Sequence, residues 1–191
     1  MDRTAELRWF FRPPPPDPVV AWFEAAAAGP AEVRRDLYLV LRETDALGVK
    51  TRGGTNRLEF KLRPRPAETV ALPNGVSGQR EEWQRWSFSR SPLTRLLPRL
   101  CLPEQGWRAV AKERRTVTVP FRGDAGCRVE LAALQTDGGR WSTLGFEAYG
   151  PDADRVAALT AAAERFFGSL ALNGGLGANL SCGYPGWLAT L

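Results

Sequence analysis

The chain has 191 residues, with 26 Lys and Arg against 21 Asp and Glu, a net charge of +5 and 43% hydrophobic residues, the ordinary balance of a folded globular protein. No apolar run reaches the roughly 18 residues of a membrane span, and Met1-Asp2-Arg3-Thr4-Ala5-Glu6 has no apolar core of a secretory signal. Histidine is absent, which excludes Ser-His-Asp and Cys-His catalysis and every His-ligated metal site.

Residues 5–11 alternate in polarity and predict an opening strand, stopped by Pro13 to Pro16. Asp17-Pro18 offers an N-cap and a proline at the first helical position, and a helix from Val19 to Ala28 follows, ended by Gly29-Pro30. Further strands are predicted over 36–42, 47–52, 57–63, 80–88, 107–119, 127–134 and 140–149, with turn signals at Gly53-Gly54, Asn74-Gly75 and Asp137-Gly138-Gly139. Ser91-Pro92 opens a short helix carrying Leu93, Leu96, Leu97 and Leu100, with Pro98 limiting its length. Asp152 caps a longer helix to about Phe167, with Val156, Leu159, Ala163 and Phe166 at helical spacing. The glycine-rich tail from Gly168 ends in Tyr184-Pro185-Gly186-Trp187-Leu188 and is expected on the surface, with Trp187 as an anchor into an apolar groove.

Eight strands with few helices predict an α+β fold: one domain built as an eight-stranded antiparallel barrel with helices packed outside. Its strands span 1–150, its C-terminal helix 151–168 and its tail 169–191. A barrel of that size is just wide enough to hold side chains or one small ligand.

All three lysines of the chain sit in one pattern: Lys50-Thr51-Arg52, Lys61-Leu62-Arg63 and Lys112-Glu113-Arg114. In a strand, residues i and i+2 share a face, so each pattern delivers two cations to one side. Arginine outnumbers lysine 23 to 3, so coding bias does not account for the coincidence. In 57–63, Arg57, Glu59, Lys61 and Arg63 share one face while Leu58, Phe60 and Leu62 share the other. The charged face points either to water, the ordinary meaning of such alternation, or into the barrel. Carboxylates on separate strands, at Glu6, Glu59, Glu82, Glu130 and Glu147, most of them flanked by apolar residues, favour the interior. Two like charges roughly 4 Å apart repel by about 4 kcal/mol at an effective dielectric near 20. Converging cations therefore need compensation, from glutamates and from a charged ligand. A phosphate chain meets that demand, because it is anionic and rich in acceptors.

These residues resemble the CYTH family of triphosphate tunnel enzymes, eight-stranded antiparallel barrels that bind triphosphates in a polar tunnel, usually with divalent metal. The resemblance covers most of residues 5–149. Glu59-Phe60-Lys61 looks like the family's Lys-bearing strand, Arg80-Glu81-Glu82 like its Arg-x-Glu strand, Lys112-Glu113-Arg114 like the later K-x-R, and Lys50-Thr51-Arg52 like the basic strand after the first hairpin. The resemblance implies phosphate binding by Lys50, Arg52, Lys61, Arg63, Arg80, Lys112 and Arg114, and Arg8, which departs from the family pattern, is expected to hold a phosphate by itself. It also implies Mg²⁺ or Mn²⁺ on Glu6, Glu59, Glu82, Glu130 and Glu147, and metal-dependent triphosphatase or phosphohydrolase activity. The family signature E-x-E-x-K reads here Glu6-Leu7-Arg8-Trp9-Phe10. A cation thus replaces a metal-supporting carboxylate, and binding survives that change better than catalysis.

The expected partner is a phosphorylated small molecule or polyphosphate. Two other readings stay open: a non-catalytic barrel whose lumen charges pair internally and which serves a protein interface, and a single-strand nucleic-acid binder stacking bases on Trp83, Trp86 and Trp107, the less favoured of the two. Gly174-Gly175-Leu176-Gly177-Ala178 lacks the strand context and lysine of a nucleotide loop. Cys101, Cys127 and Cys182 are scattered and odd in number, which argues against a disulfide framework and fits a reducing cytoplasm. Cys127 opens a strand and is expected to be packed.

Overall fold

Strand β1 (Asp2–Phe11) serves two interiors at once. Ala5, Leu7 and Trp9 point to one face, Thr4, Glu6, Arg8 and Phe10 to the other, and both sets are buried. Such a strand belongs to a sheet that is covered outside and closed inside. The computed structural model describes residues 1–26, 28–53, 57–89, 106–172 and 175–191. Its further strands are β2 (Glu32–Leu39), β3 (Leu47–Arg52), β4 (Arg57–Leu62), β5 (Glu68–Ala71), β6 (Ser77–Ser89), β7 (Trp107–Pro120), β8 (Gly126–Thr136) and β9 (Gly139–Tyr149). Around the barrel the order is β1-β9-β8-β7-β2-β3-β4-β6, every pairing antiparallel, with β6 closing on β1 and β5 added outside along β6.

Among the described residues three α-helices complete the α+β fold: α1 (Asp17–Ala25), α2 (Asp152–Gly168) and α3 (Tyr184–Ala189). Helix α2 buries Ala158, Leu159, Ala162, Ala163, Phe166 and Phe167 along one stripe. That stripe and Val19 and Phe23 of α1 cover the outer faces of β1, β8 and β9, where Trp9, Val129 and Phe146 lie. Trp9 meets Phe167 edge-on at 5.4 Å, and its Nε1 donates to the Ser77 carbonyl at 2.9 Å. Gly78 is required here, because a Cβ would lie 2.5 Å from the Trp9 ring.

The end of the tail does not lie on the surface. After Gly183, helix α3 enters one end of the barrel, where Trp187 and Leu188 pack with Phe10, Tyr38, Val110 and Leu134. Trp187 is 2% exposed and stacks on Phe10 at 4.5 Å. Cys182 N–H donates to the Arg8 carbonyl, and Ser181 bridges to Trp9. The aromatic content of the last eight residues outweighs the glycines before them, since burying them removes apolar area from water.

Other expectations shift by a few residues. Strand β2 begins at Glu32 rather than 36, because Glu32 and Arg34 pair across to Arg114 and Lys112. Strand β5 was not anticipated; it is a four-residue edge strand after a proline-rich stretch. Pro16 and Pro151, not Asp17 and Asp152, stand at the N-caps, and both aspartates lie inside the first turn. The predicted helix over 91–100, Cys101 and Gly54 lie outside the described residues. Among the described residues no helix is long and apolar enough to cross a membrane.

Candidate functional site

Inward-facing side chains of the barrel strands line a cavity of about 560 Å³. Nine are cationic: Arg8, Arg34, Lys50, Arg52, Lys61, Arg85, Lys112, Arg114 and Arg128. Glu6, Glu32, Glu130 and Glu147 share the wall, and buried Asp36 and Glu59 pair with its cations. Among the described residues the lumen therefore carries nine cations and six carboxylates, an excess of three positive charges.

The carboxylates act as bridges. Glu130 joins Arg8 and Arg114, each at 2.8 Å; Glu59 joins Lys50 at 3.2 Å and Arg52 at 3.3 Å. Asp36 joins Arg34 at 3.3 Å and Lys112 at 3.6 Å, and Glu147 joins Arg128 at 3.2 Å and Arg85 at 3.9 Å. Glu6 accepts from Lys61 and from Thr4. Five donors on each arginine and three on each lysine exceed what these carboxylates accept.

Burial and charge set the protonation states. Burial alone would push the Glu130 carboxyl up, but Arg8, Lys112 and Arg114 hold it far below the ordinary range. Glu147 and Glu59 are likewise lowered despite burial, by Lys61 and Arg85 and by Lys50 and Arg52 respectively. Burial and then Lys50 push the Lys112 ammonium well below its usual value, against Asp36 and Glu130. Lys50 moves the same way by burial, partly opposed by Glu59. Lys61 is raised, because Glu6 and Glu147 overcome burial. Two of the three lysines thus hold their protons weakly, and an incoming anion would strengthen that hold.

One cross-strand row has a special construction. Arg8 of β1 pairs with Gly145 of β9, which pairs with Glu130 of β8. A Cβ at position 145 would lie 2.5 Å from the Arg8 Cζ. The missing side chain lets the guanidinium lie across β9 and reach Glu130 and, at 3.3 Å, the Thr143 hydroxyl.

The floor of the lumen is aromatic and comes from α3. The Tyr184 ring stacks on Tyr38 at 5.2 Å, and Lys112 Nζ donates to the Tyr38 hydroxyl at 2.5 Å. The buried Tyr184 hydroxyl has no hydrogen-bond partner among the described residues. Below it, Tyr38, Val49, Trp83, Tyr184 and Pro185 help enclose a smaller void of about 60 Å³.

Of the residues singled out from sequence, Glu6, Arg8, Lys50, Arg52, Lys61, Lys112, Arg114, Glu130 and Glu147 line the lumen, and Glu59 packs against it. Arg63 is turned toward the plugged end, where it pairs with Asp45 at 2.5 Å and lies 3.9 Å from Glu81. Arg80 and Glu82 are not brought into the lumen. In β6 the inward residues are Glu81, Trp83 and Arg85, so Arg80 and Glu82 face outward, and Arg80 pairs with exposed Glu68. Sequence reading also missed Arg34, Asp36, Tyr38, Arg85, Arg128 and Tyr184. A polar residue at every second position from Glu32 to Tyr38 was the available signal for the first three.

The carboxylates expected to hold Mg²⁺ or Mn²⁺ do not fit a divalent cation. Such ions want several oxygen ligands and local negative charge, and Glu6, Glu59, Glu130 and Glu147 are each committed to cations. Among the described residues no group of three acidic or sulfur side chains could hold a metal ion. The tryptophans offered for base stacking do not form one external platform, because Trp83 is buried inside the barrel. Cys127 is fully buried, and burial pushes its thiol up to about 12.

Fold and lumen together define a closed antiparallel barrel with a basic, one-ended interior. No family model matches the sequence, and no curated protein matches it significantly. The fold is similar to that of a Mimivirus capping enzyme triphosphatase, at 7% identity and a TM-score of 0.54, over 91% of this chain and 90% of that one. Looser similarity extends to a conserved hypothetical protein of Pyrococcus furiosus, at 11% identity, a TM-score of 0.42 and 86% and 90% coverage. A Pyrococcus horikoshii protein gives 14% identity, a TM-score of 0.44 and 89% and 91% coverage. At these identities the likeness is one of fold alone.

Proposed function

We propose that the lumen is a receptor for a triphosphate- or polyphosphate-containing anion. The observation that carries this reading is the convergence of Lys50, Lys61 and Lys112, from three strands, in one walled cavity with a surplus of positive charge. The lumen cations together carry more N–H donors than its carboxylates accept, and phosphate oxygens are suited to accept from the remainder. The unpartnered Tyr184 hydroxyl adds a donor at the floor. The fold likeness to a capping enzyme triphosphatase supports the same ligand class.

Cleavage of a phosphoanhydride needs an in-line water and neutralised charge. The lumen cations would supply the neutralisation, so orthophosphate release is the assay for a hydrolytic step beyond binding. The first test of the receptor is thermal denaturation of the full chain. Tripolyphosphate at a hundred times its dissociation constant is expected to stabilise by about 2.7 kcal/mol, and orthophosphate at the same concentration by much less. No shift with any condensed phosphate would contradict the reading and favour a barrel whose charges only pair among themselves. Steeply salt-dependent binding of oligonucleotides, without preference for triphosphate, would favour the nucleic-acid reading.

A further inference from the structure

We infer that the lumen holds its anion without a divalent cation, with the Arg8 guanidinium as the fixed positive charge of the wall. The inference rests on the receptor reading and deepens it. Its first support is the row Arg8–Gly145–Glu130: the middle side chain is missing where the guanidinium lies, so the wall is shaped around a resident cation. Its second support is the state of the carboxylates. Glu130 is held by Arg8 and Arg114, and Glu6 by Lys61, so a dication beside them would have to displace bonded side-chain cations. It would also meet the lumen's existing positive excess.

Arg8 is also poised to act on a ligand. Both of its hydrogen bonds, to Glu130 and Thr143, use Nη1. The guanidinium lies 5.1 Å from the centroid of the Tyr184 ring at the floor, and its further donors on Nη2 and Nε belong to the planar fork that matches phosphate geometry. The chemistry recognised is therefore the uncomplexed condensed phosphate, not its metal complex.

The test is calorimetric titration of the full chain with tripolyphosphate, once in excess EDTA and once in millimolar Mg²⁺ or Mn²⁺. The expected result is saturable binding in EDTA that is unchanged or weakened by the metal, because the metal competes for the ligand. Binding that occurs only with metal, or tightens about tenfold on its addition, would overturn the inference and leave the receptor reading standing. No binding in either condition would overturn both. In EDTA, Arg8→Gln is expected to weaken binding about tenfold or more, and Arg8→Lys to retain most of it; wild-type affinity in Arg8→Gln would contradict the role of Arg8. Should Arg8→Gln fail to fold, the comparison on the unaltered chain still decides.

Discussion

Lys112 Nζ lies 3.7 Å from the centroid of the Tyr184 ring, so a residue of the C-terminal plug touches a cation of the lumen. The Tyr184 hydroxyl is unpartnered among the described residues, whereas its ring stacks on Tyr38. Ring and hydroxyl therefore separate in effect. Tyr184→Phe is expected to leave the urea midpoint unchanged or slightly raised, and to weaken tripolyphosphate binding by about three- to tenfold. Trp187→Ala, which empties the stack on Phe10, is expected to cost about 3–5 kcal/mol of stability. A Tyr184→Phe protein with unaltered affinity would remove the hydroxyl from the site.

Gly145→Ala tests the row beneath Arg8. The added methyl would fall within 2.7 Å of the guanidinium carbon and both terminal nitrogens, so Arg8 must leave Glu130. The expected outcome is a stability loss of about 1–3 kcal/mol with weaker binding in calorimetry. Unchanged affinity would mean that the displaced guanidinium is not used.

The depressed carboxylates predict acid sensitivity. Glu130, Glu147 and Glu59 are lowered in the fold, so they contribute stability above their ordinary value of 4.5 and lose it as pH falls through their folded values. Urea midpoints are expected to hold down to about pH 5 and then fall. Glu130→Gln should flatten that fall while costing about 3 kcal/mol at neutral pH, because Arg8 is left buried without its partner.

Lys112 predicts a proton linkage of the opposite kind. Burial and Lys50 lower it in the free protein, and a polyanion in the lumen would raise it, so binding takes up a proton between those two values. Affinity therefore falls as pH rises through the free-protein value. Titrations in buffers of different ionisation enthalpy measure the uptake, and Lys112→Met is expected to reduce it. Uptake undiminished in that variant would assign the proton elsewhere.

Period-two charge patterns made much of the barrel readable. Lys50 and Arg52 could be assigned to one face because Val49 and Thr51 marked the other, whereas Lys112 and Arg114, beside charged Glu113 and Arg115, share a face by their spacing alone. The same logic failed in β6. Arg80-Glu81-Glu82 is followed by polar residues on both faces, so nothing in the local pattern shows which parity turns inward, and a slip of one residue exchanges Glu81 for Glu82. Arg35 blurred β2 in the same way, hiding Arg34 and Asp36. The plug was legible only in its anchor, Trp187: a six-residue helix has no periodicity to detect, and its place is fixed by Phe10 and Tyr38, distant in sequence.

The central claim is that cations from distant strands share one anion. Calorimetric titration of the unaltered chain and of Lys61→Ala with tripolyphosphate tests it most directly. The account predicts saturable, micromolar, one-to-one binding in the first and loss of about tenfold or more in affinity in the second. A flat trace from the unaltered chain, or equal affinity in the two proteins, would contradict it.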